Sequence, residues 1–178
     1  QGLGITFHAD ALGVVFALVS IGVVLAALLH EVATGVYWRT FPSVVVLGAA
    51  GMTGLFLTGD VFNFYVFFEI AMTSAFVLAG YREADHQVRG AFLFAIVNLV
   101  GSTIFLIAIA ALYTVTGTLD MALMAERTNV VEIGSLIAVA TLVFAAFGLK
   151  LGLFPFHFWL PNVYVGTHPS VAAILAGA

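Results

Sequence analysis

The sequence predicts an all-α protein, a polytopic transmembrane helix bundle with a discontinuous helix around Lys150. Three observations lead there. The 178 residues are 63% hydrophobic and only 8% charged, against about 25% charged residues in soluble domains. Mean hydropathy is +1.18, and the apolar residues gather into long runs divided by short polar stretches. A chain with so little polar surface suits lipid rather than water as its solvent. The third observation is that two charged residues, Glu69 and Lys150, interrupt apolar runs far from either end.

The elements follow in order. A first span is expected over residues 11–29, with Asp10 as its N-cap. A second covers 41–58, with Pro42 in the first turn, where proline is tolerated. The Gly59-Asp60 turn opens a third span over 61–79, and Asp60 is suited to cap it. A fourth runs over 90–116, a fifth over 133–160, and a sixth begins near 169 and is cut off at Ala178. A span needs roughly 20 residues, so the first three fit with little to spare, whereas the fourth and fifth must tilt, kink or extend beyond the lipid. Residues 119–131 read either as a short interfacial helix or as a plain surface loop. Residues 1–178 read as a single transmembrane unit. The chain begins at Gln1 rather than Met, has no basic n-region of a signal peptide, and ends inside an apolar run. It is therefore expected to be a fragment of a longer protein.

Charge placement gives an orientation. Arg39, Arg82 and Arg89 lie after the first and third spans, whereas the opposite side carries only Arg127. The positive-inside rule then places loops 30–41 and 81–89 in the cytoplasm. A net charge of -4 spread over short loops forms no basic patch, which excludes nucleic acid as a partner. With no cysteine, disulfides, thiol catalysis and cysteine-bound metals are excluded. No GxGxxG, Walker A or HExxH motif occurs. His8, His30, His86, His157 and His168 give no spacing for a haem pair on facing helices. No cofactor, no metal and no redox chemistry within this chain are expected.

The candidate functional residues are those a bilayer tolerates worst. Glu69 lies near the centre of the third run; an ionised carboxylate there must be paired, hydrated or protonated. It reads as a proton-loading site or as half of a structural ion pair. Lys150 lies in a run of 28 residues, 133–160, which as a straight helix would reach about 42 Å against a hydrocarbon core of about 30 Å. Gly148, Gly152, Pro155 and Pro161 all weaken the helix there. A break at Lys150 would shorten the span and leave free carbonyls beside the lysine, a device recurrent at ion sites. The competing reading is a lysine that snorkels to the interface; its apolar flanks argue against that. A deep acid and a deep base on separate spans stabilise each other's charges, which makes Glu69 and Lys150 the expected pair.

Around this pair stand weaker candidates. In a continuous helix His157 would share the face of Lys150, seven residues on, either as a proton relay or as a structural histidine. His168 is a candidate for a loop or entrance, or a plain solvated histidine. Asn98, Ser102 and Thr103 on the fourth span either hold water between acid and base or make helix–helix contacts.

These residues stand in recognisable strings. The stretch Leu57-Thr58-Gly59-Asp60-Val61-Phe62-Asn63-Phe64-Tyr65-Val66-Phe67-Phe68-Glu69 resembles the acid-bearing fifth helix of the antiporter-like membrane subunits. These subunits occur in respiratory complex I, Mrp-type cation/proton antiporters and membrane-bound hydrogenases. Residues 148–161, from Gly148-Leu149-Lys150 to Trp159-Leu160-Pro161, resemble their broken seventh helix. The resemblance covers almost the whole chain. It implies the first part of an inverted-repeat antiporter-like fold, from the third helix to the start of the eighth, and puts loop 30–41 in the cytoplasm. Residue by residue, Glu69 matches the family's acid, Lys150 its lysine, and His157 and Trp159 the signature after the break. Residues 113–122 and the Gly59-Asp60 turn are most similar to the D-type subunits of Mrp antiporters. Residues 154–157 lie nearer to the complex I and hydrogenase branches, and His168-Pro169-Ser170-Val171 departs from the usual Thr-Pro-Val form.

The resemblance implies proton or cation translocation in a multi-subunit complex of a bacterial or archaeal cell membrane, with other integral membrane subunits, lipid, protons and sodium ions as partners. An Mrp-type Na+/H+ antiporter is the first expectation. A proton-pumping subunit of a complex I-like NADH-quinone oxidoreductase or hydrogenase is the alternative within the family, and a non-conducting scaffold is the alternative outside it.

Overall fold

A computed structural model describes residues 6–35 and 38–177; residues 36 and 37 of the loop 30–41, and Ala178, lie outside the described residues. The chain is helical. In order it forms α1 (Ala11–Thr34), α2 (Phe41–Leu57), α3 (Val61–Ala79), α4 (Asp85–Thr116), α5 (Met121–Arg127), α6 (Ile133–Leu151), α7 (Leu160–Gly166) and α8 (Pro169–Gly177). Tight 3₁₀ turns at Thr128–Val130 and Phe156–Trp159 follow α5 and precede α7. Among the described residues there is no strand, only two isolated β-bridges, Phe7 with Thr58 and Asp60 with Asp120. The open alternative at 119–131 resolves as a short helix.

Local chemistry sets the helix starts. Asp10 Oδ1 accepts from the Gly13 amide at 2.6 Å, Asp60 Oδ1 from the Asn63 amide at 2.8 Å, and Asp120 Oδ1 from the Leu123 amide at 2.9 Å. Each carboxylate satisfies an amide that has no partner within its helix and faces the positive end of the dipole. Among the described residues, four stretches are long and apolar enough to cross a membrane: Ala11–Thr34, Val61–Ala79, Asp85–Thr116 and Ile133–Gly166 taken together. α2, at 17 residues, is apolar but shorter.

Two helices run further than the apolar runs suggest. α1 continues to Thr34 rather than ending near residue 29, and α4 begins at Asp85 rather than near 90. Both extensions add polar residues at one end of the bundle, and tertiary partners there replace the hydropathy that would otherwise mark a span.

The break in the fifth run is located by Gly152. Its φ is +63°, a left-handed conformation that glycine adopts without a Cβ penalty. α6 therefore ends at Leu151, one residue past Lys150. The carbonyls at the break are not left free, as the sequence suggested. Gly148 O accepts from the Leu153 amide at 2.9 Å, and Leu149 O from the Gly152 amide at 3.3 Å and Trp159 Nε1 at 3.1 Å. The Trp159 ring stacks on Phe94 of α4 at 4.8 Å, which fixes the chain after the break against its neighbour.

Helices in lipid gain no hydrophobic driving force from one another, so small residues at their contacts carry the association. Gly51 of α2 packs so closely on α3 that an added Cβ would stand 2.7 Å from the Ala71 amide nitrogen. At one end of α3 the connections are stitched together: Val61 N donates to Leu119 O, and Met121 N to Gly59 O, each at 2.9 Å. These bonds tie the start of α3 to the segment after α4.

The α2–α3 contact gives a direct test. Replacing Gly51 by Val should force the two helices apart and destabilise the protein by about 1–3 kcal/mol, the usual cost of overpacking. A lowered midpoint of thermal unfolding in detergent measures it; an unchanged midpoint would mean that the two backbones do not need this approach.

Candidate functional site

Three helices converge on one polar spot inside the bundle. α3 supplies Glu69, α4 supplies Ser102 and the last turn of α6 supplies Lys150. Lys150 Nζ lies 3.2 Å from Glu69 Oε1 and donates to Ser102 Oγ at 2.7 Å. Ser102 in turn donates to the same Glu69 oxygen at 2.5 Å. The ammonium also sits 4.2 Å from the centre of the Phe68 ring, a cation–π contact. The hydroxyl of Ser102 thus accepts from the base and donates to the acid.

The surroundings explain how a lysine is held there. Its side chain is 1% exposed, whereas that of Glu69 is 30% exposed. Gly101 leaves room for the lysine stem: a Cβ at that position would meet Lys150 Cγ at 3.3 Å. The carbonyl end of α6 places the negative pole of a helix dipole beside the ammonium. Glu69, by contrast, opens sideways onto a groove bordered by Leu47, Tyr65, Val66, Ile70 and Thr73. The lysine is enclosed and the acid is reachable from the side.

This arrangement supports proton movement without any bond to carbon changing. A proton leaving Lys150 Nζ for Ser102 Oγ, while the Ser102 proton passes to Glu69 Oε1, converts an ion pair into a neutral amine and a neutral acid. A third charge arriving nearby shifts the balance between the two forms, because screening is weak in such surroundings.

Comparison with known proteins bears directly on this constellation. Residues 58–178, which carry all three side chains, match the model of the family described as NADH:quinone oxidoreductase/Mrp antiporter, TM. The chain belongs to that family. It is 37% identical over 129 residues to the D-type subunit of the Na+/H+ antiporter of Alkalihalophilus pseudofirmus, covering 72% of this chain and 26% of that protein. It is 34% identical over 180 residues to the D-type subunit of a probable K+/H+ antiporter of Rhizobium meliloti, covering 97% of this chain and 33% of that one. Among solved structures, a chain of the Mrp complex from Dietzia superposes with a TM-score of 0.88 at 33% identity, over 98% of this chain and 33% of its own length. A chain of respiratory complex I from Thermus thermophilus superposes with a TM-score of 0.82 at 25% identity, over 95% of this chain and 37% of its own. The chain thus spans about a third or less of the length of these two antiporter relatives. As a member of this family it is an integral membrane protein, with the antiporter-like fold its sequence suggested.

Within the antiporter-like fold, the other candidate residues separate. Asn98, one turn from Ser102, is fully buried, but its Nδ2 donates to Phe94 O of its own helix at 3.0 Å. Thr103 is exposed and donates to Leu99 O. His157 does not follow Lys150 along one helix face, because the chain turns at Gly152. It is exposed, and its ring stacks on Phe154 at 5.7 Å. His168 belongs to a different polar group, beside Glu31 and Ser170.

The apolar runs of the sequence do not mark that second group. Glu31 is fully buried although it stands just past an apolar run. The buried residues of α1 are Gly13, Ala17, Ser20, Val24, Ala27 and Glu31, spaced alternately by four and three. A heptad reading of α1 would have carried the inward stripe through Glu31.

The Glu69–Lys150 contact is measurable as a coupling. Lys150→Leu alone should destabilise the protein more than Lys150→Leu combined with Glu69→Leu, because the single change strands a carboxylate. A double-mutant cycle by thermal unfolding in detergent should return a coupling of about 0.5–3 kcal/mol. Strict additivity would mean that the pair is not energetically linked.

Proposed function

We propose that this chain moves protons through the membrane as part of an antiporter-like subunit, with Lys150, Ser102 and Glu69 as its proton-exchanging centre. The observation that carries the reading is the hydroxyl of Ser102 held in contact with both the buried base and the reachable acid. Loading and unloading occur at Glu69. The proton on Lys150 is exchanged through Ser102, and the pair resets when a neighbouring charge approaches or leaves. His157, past the break, serves as a relay towards the rest of the protein.

The parent assembly in this reading is an Mrp-type antiporter that exchanges a monovalent cation for protons together with other membrane subunits. The greater likeness to relatives named as D-type antiporter subunits, 34–37% identical, favours it over the complex I relative at 25%. Loops 30–41 and 81–89 face the cytoplasm of a bacterial or archaeal cell, in accord with Arg39, Arg82 and Arg89 at that end.

The reading is tested in everted membrane vesicles that carry the intact native protein in its complex. Dissipation of a preset pH gradient on addition of Na+ or K+ is followed with a pH-sensitive dye. Glu69→Gln and Lys150→Ala should each abolish the cation-induced signal while the subunits remain assembled. Transport at the native rate in both variants would leave a scaffold role for the pair. A gradient formed only on addition of NADH would assign the chain to an oxidoreductase.

A further inference from the structure

Near the arginine-rich end of the bundle, Glu31 is a carboxylate with no exposed surface. Its two oxygens are engaged differently. Oε1 accepts from Tyr81 OH at 2.6 Å, and Tyr81 OH accepts from Arg82 Nε at 3.0 Å. Oε2 accepts from Ser170 Oγ at 2.9 Å. Ser170 Oγ also lies 2.9 Å from His30 Nδ1. Because the hydroxyl proton points to Glu31, the oxygen is left to accept, which makes Nδ1 of His30 the donor. His30 itself is exposed. The result is an unbroken line of hydrogen bonds from an exposed imidazole, through a buried hydroxyl, to a fully buried acid.

Among the described residues, the charged and titratable groups facing Glu31 are few. α1 contributes His30, the turn after α3 contributes Tyr81 and Arg82, and the turn before α8 contributes His168. α2 presents the apolar residues Phe41, Val44, Val45 and Ala49 to the cluster around Tyr81. Arg82 Nη2 is 3.9 Å from Glu31 Oε1, and His168 Nδ1 is 3.2 Å from Oε2 without the alignment of a hydrogen bond. Burial, then the nearby Arg82, lower the pKa of His168 although Glu31 pulls the other way, and burial with the bond to Glu31 raises that of Tyr81. Both favour neutral neighbours, which leaves the exposed imidazole of His30 as the group that meets protons from solvent.

We infer that Glu31 is a second proton-binding site of this chain, loaded from solvent through His30 and Ser170. A proton binds His30 Nε2, the Nδ1 proton passes to Ser170 Oγ, and the hydroxyl proton of Ser170 passes to Glu31 Oε2. One N–H bond breaks as one forms, Ser170 is restored, and His30 ends neutral beside a protonated acid. The site sits on the same helix system as the first centre. Tyr81 is twelve residues beyond Glu69 in the chain. Between them α3 carries the buried hydroxyl of Ser74, on a cavity of about 90 Å3 bounded by α1, α2, α3 and α8.

This second site rests on the proton-transport reading of the first, and one experiment separates their failures. Everted vesicles carrying the intact protein are compared as native, His30→Ala and Glu69→Gln, with cation-induced proton movement measured from mildly acidic to alkaline bath pH. Because His30 bonds to Ser170, assembly of each variant in the membrane is measured beside its transport. His30→Ala should be slowed roughly tenfold or more at alkaline pH, where protons are scarce and a relay limits the rate, and little at acidic pH. Free imidazole in the bath should restore it. When Glu69→Gln abolishes transport, a native rate for His30→Ala at every pH, or a loss that imidazole does not repair, overturns loading through His30. If Glu69→Gln transports normally, the reading of the first centre has failed, whatever His30 does.

Discussion

A charged lysine that the surrounding medium cannot solvate organises this part of the protein. Lys150 has almost no exposed surface, so its charge must be answered by the chain itself. Each neighbouring feature answers part of it. The end of α6 supplies a helix pole, Ser102 and Glu69 supply oxygens, Phe68 supplies a ring face, and Gly101 supplies the space for the stem. Three helices are thereby held at one level. The break after Lys150 follows from the same requirement, since a helix continuing past it would place no terminus there.

The two polar centres share a design. In each, a serine hydroxyl lies between a nitrogen and a carboxylate, donating to the acid and accepting from the base. Serine suits this position because a hydroxyl both gives and takes a hydrogen bond, and can reverse both roles without moving its heavy atom. The centres differ in which member is enclosed. At the first the base is sealed and the acid reachable; at the second the acid is sealed and the base exposed.

The sequence displayed the first centre plainly and hid the second. Glu69 and Lys150 are legible because depth in an apolar run needs no partner to be recognised. Ser102 was legible as a position on the inward face of α4 but not as a ligand, since the i, i+4 pair with Asn98 could not tell which of two stacked polar groups meets the lysine. The shared helix face of His157 and Lys150 is a helical extrapolation that the turn at Gly152 invalidates. Glu31 was obscured because α1 outlasts its hydrophobic run: the residues that hold its last turns, Tyr81 and Ser170, come from 50 and 139 positions later in the chain, and no local pattern carries that information.

The stitching at the start of α3 has a mechanical consequence. Bonds between the 57–61 turn and the 119–121 segment act as a fulcrum for α3 against α4. Measured from Asp60, Glu69 lies about 14 Å along the axis and Ala79, the last residue of α3, about 28 Å, at 1.5 Å per residue. A given tilt of α3 displaces the far end about twice as far as it displaces the acid. A tilt about this end would therefore carry the turn that bears Tyr81, and with it the second centre, further than it carries Glu69 from its serine.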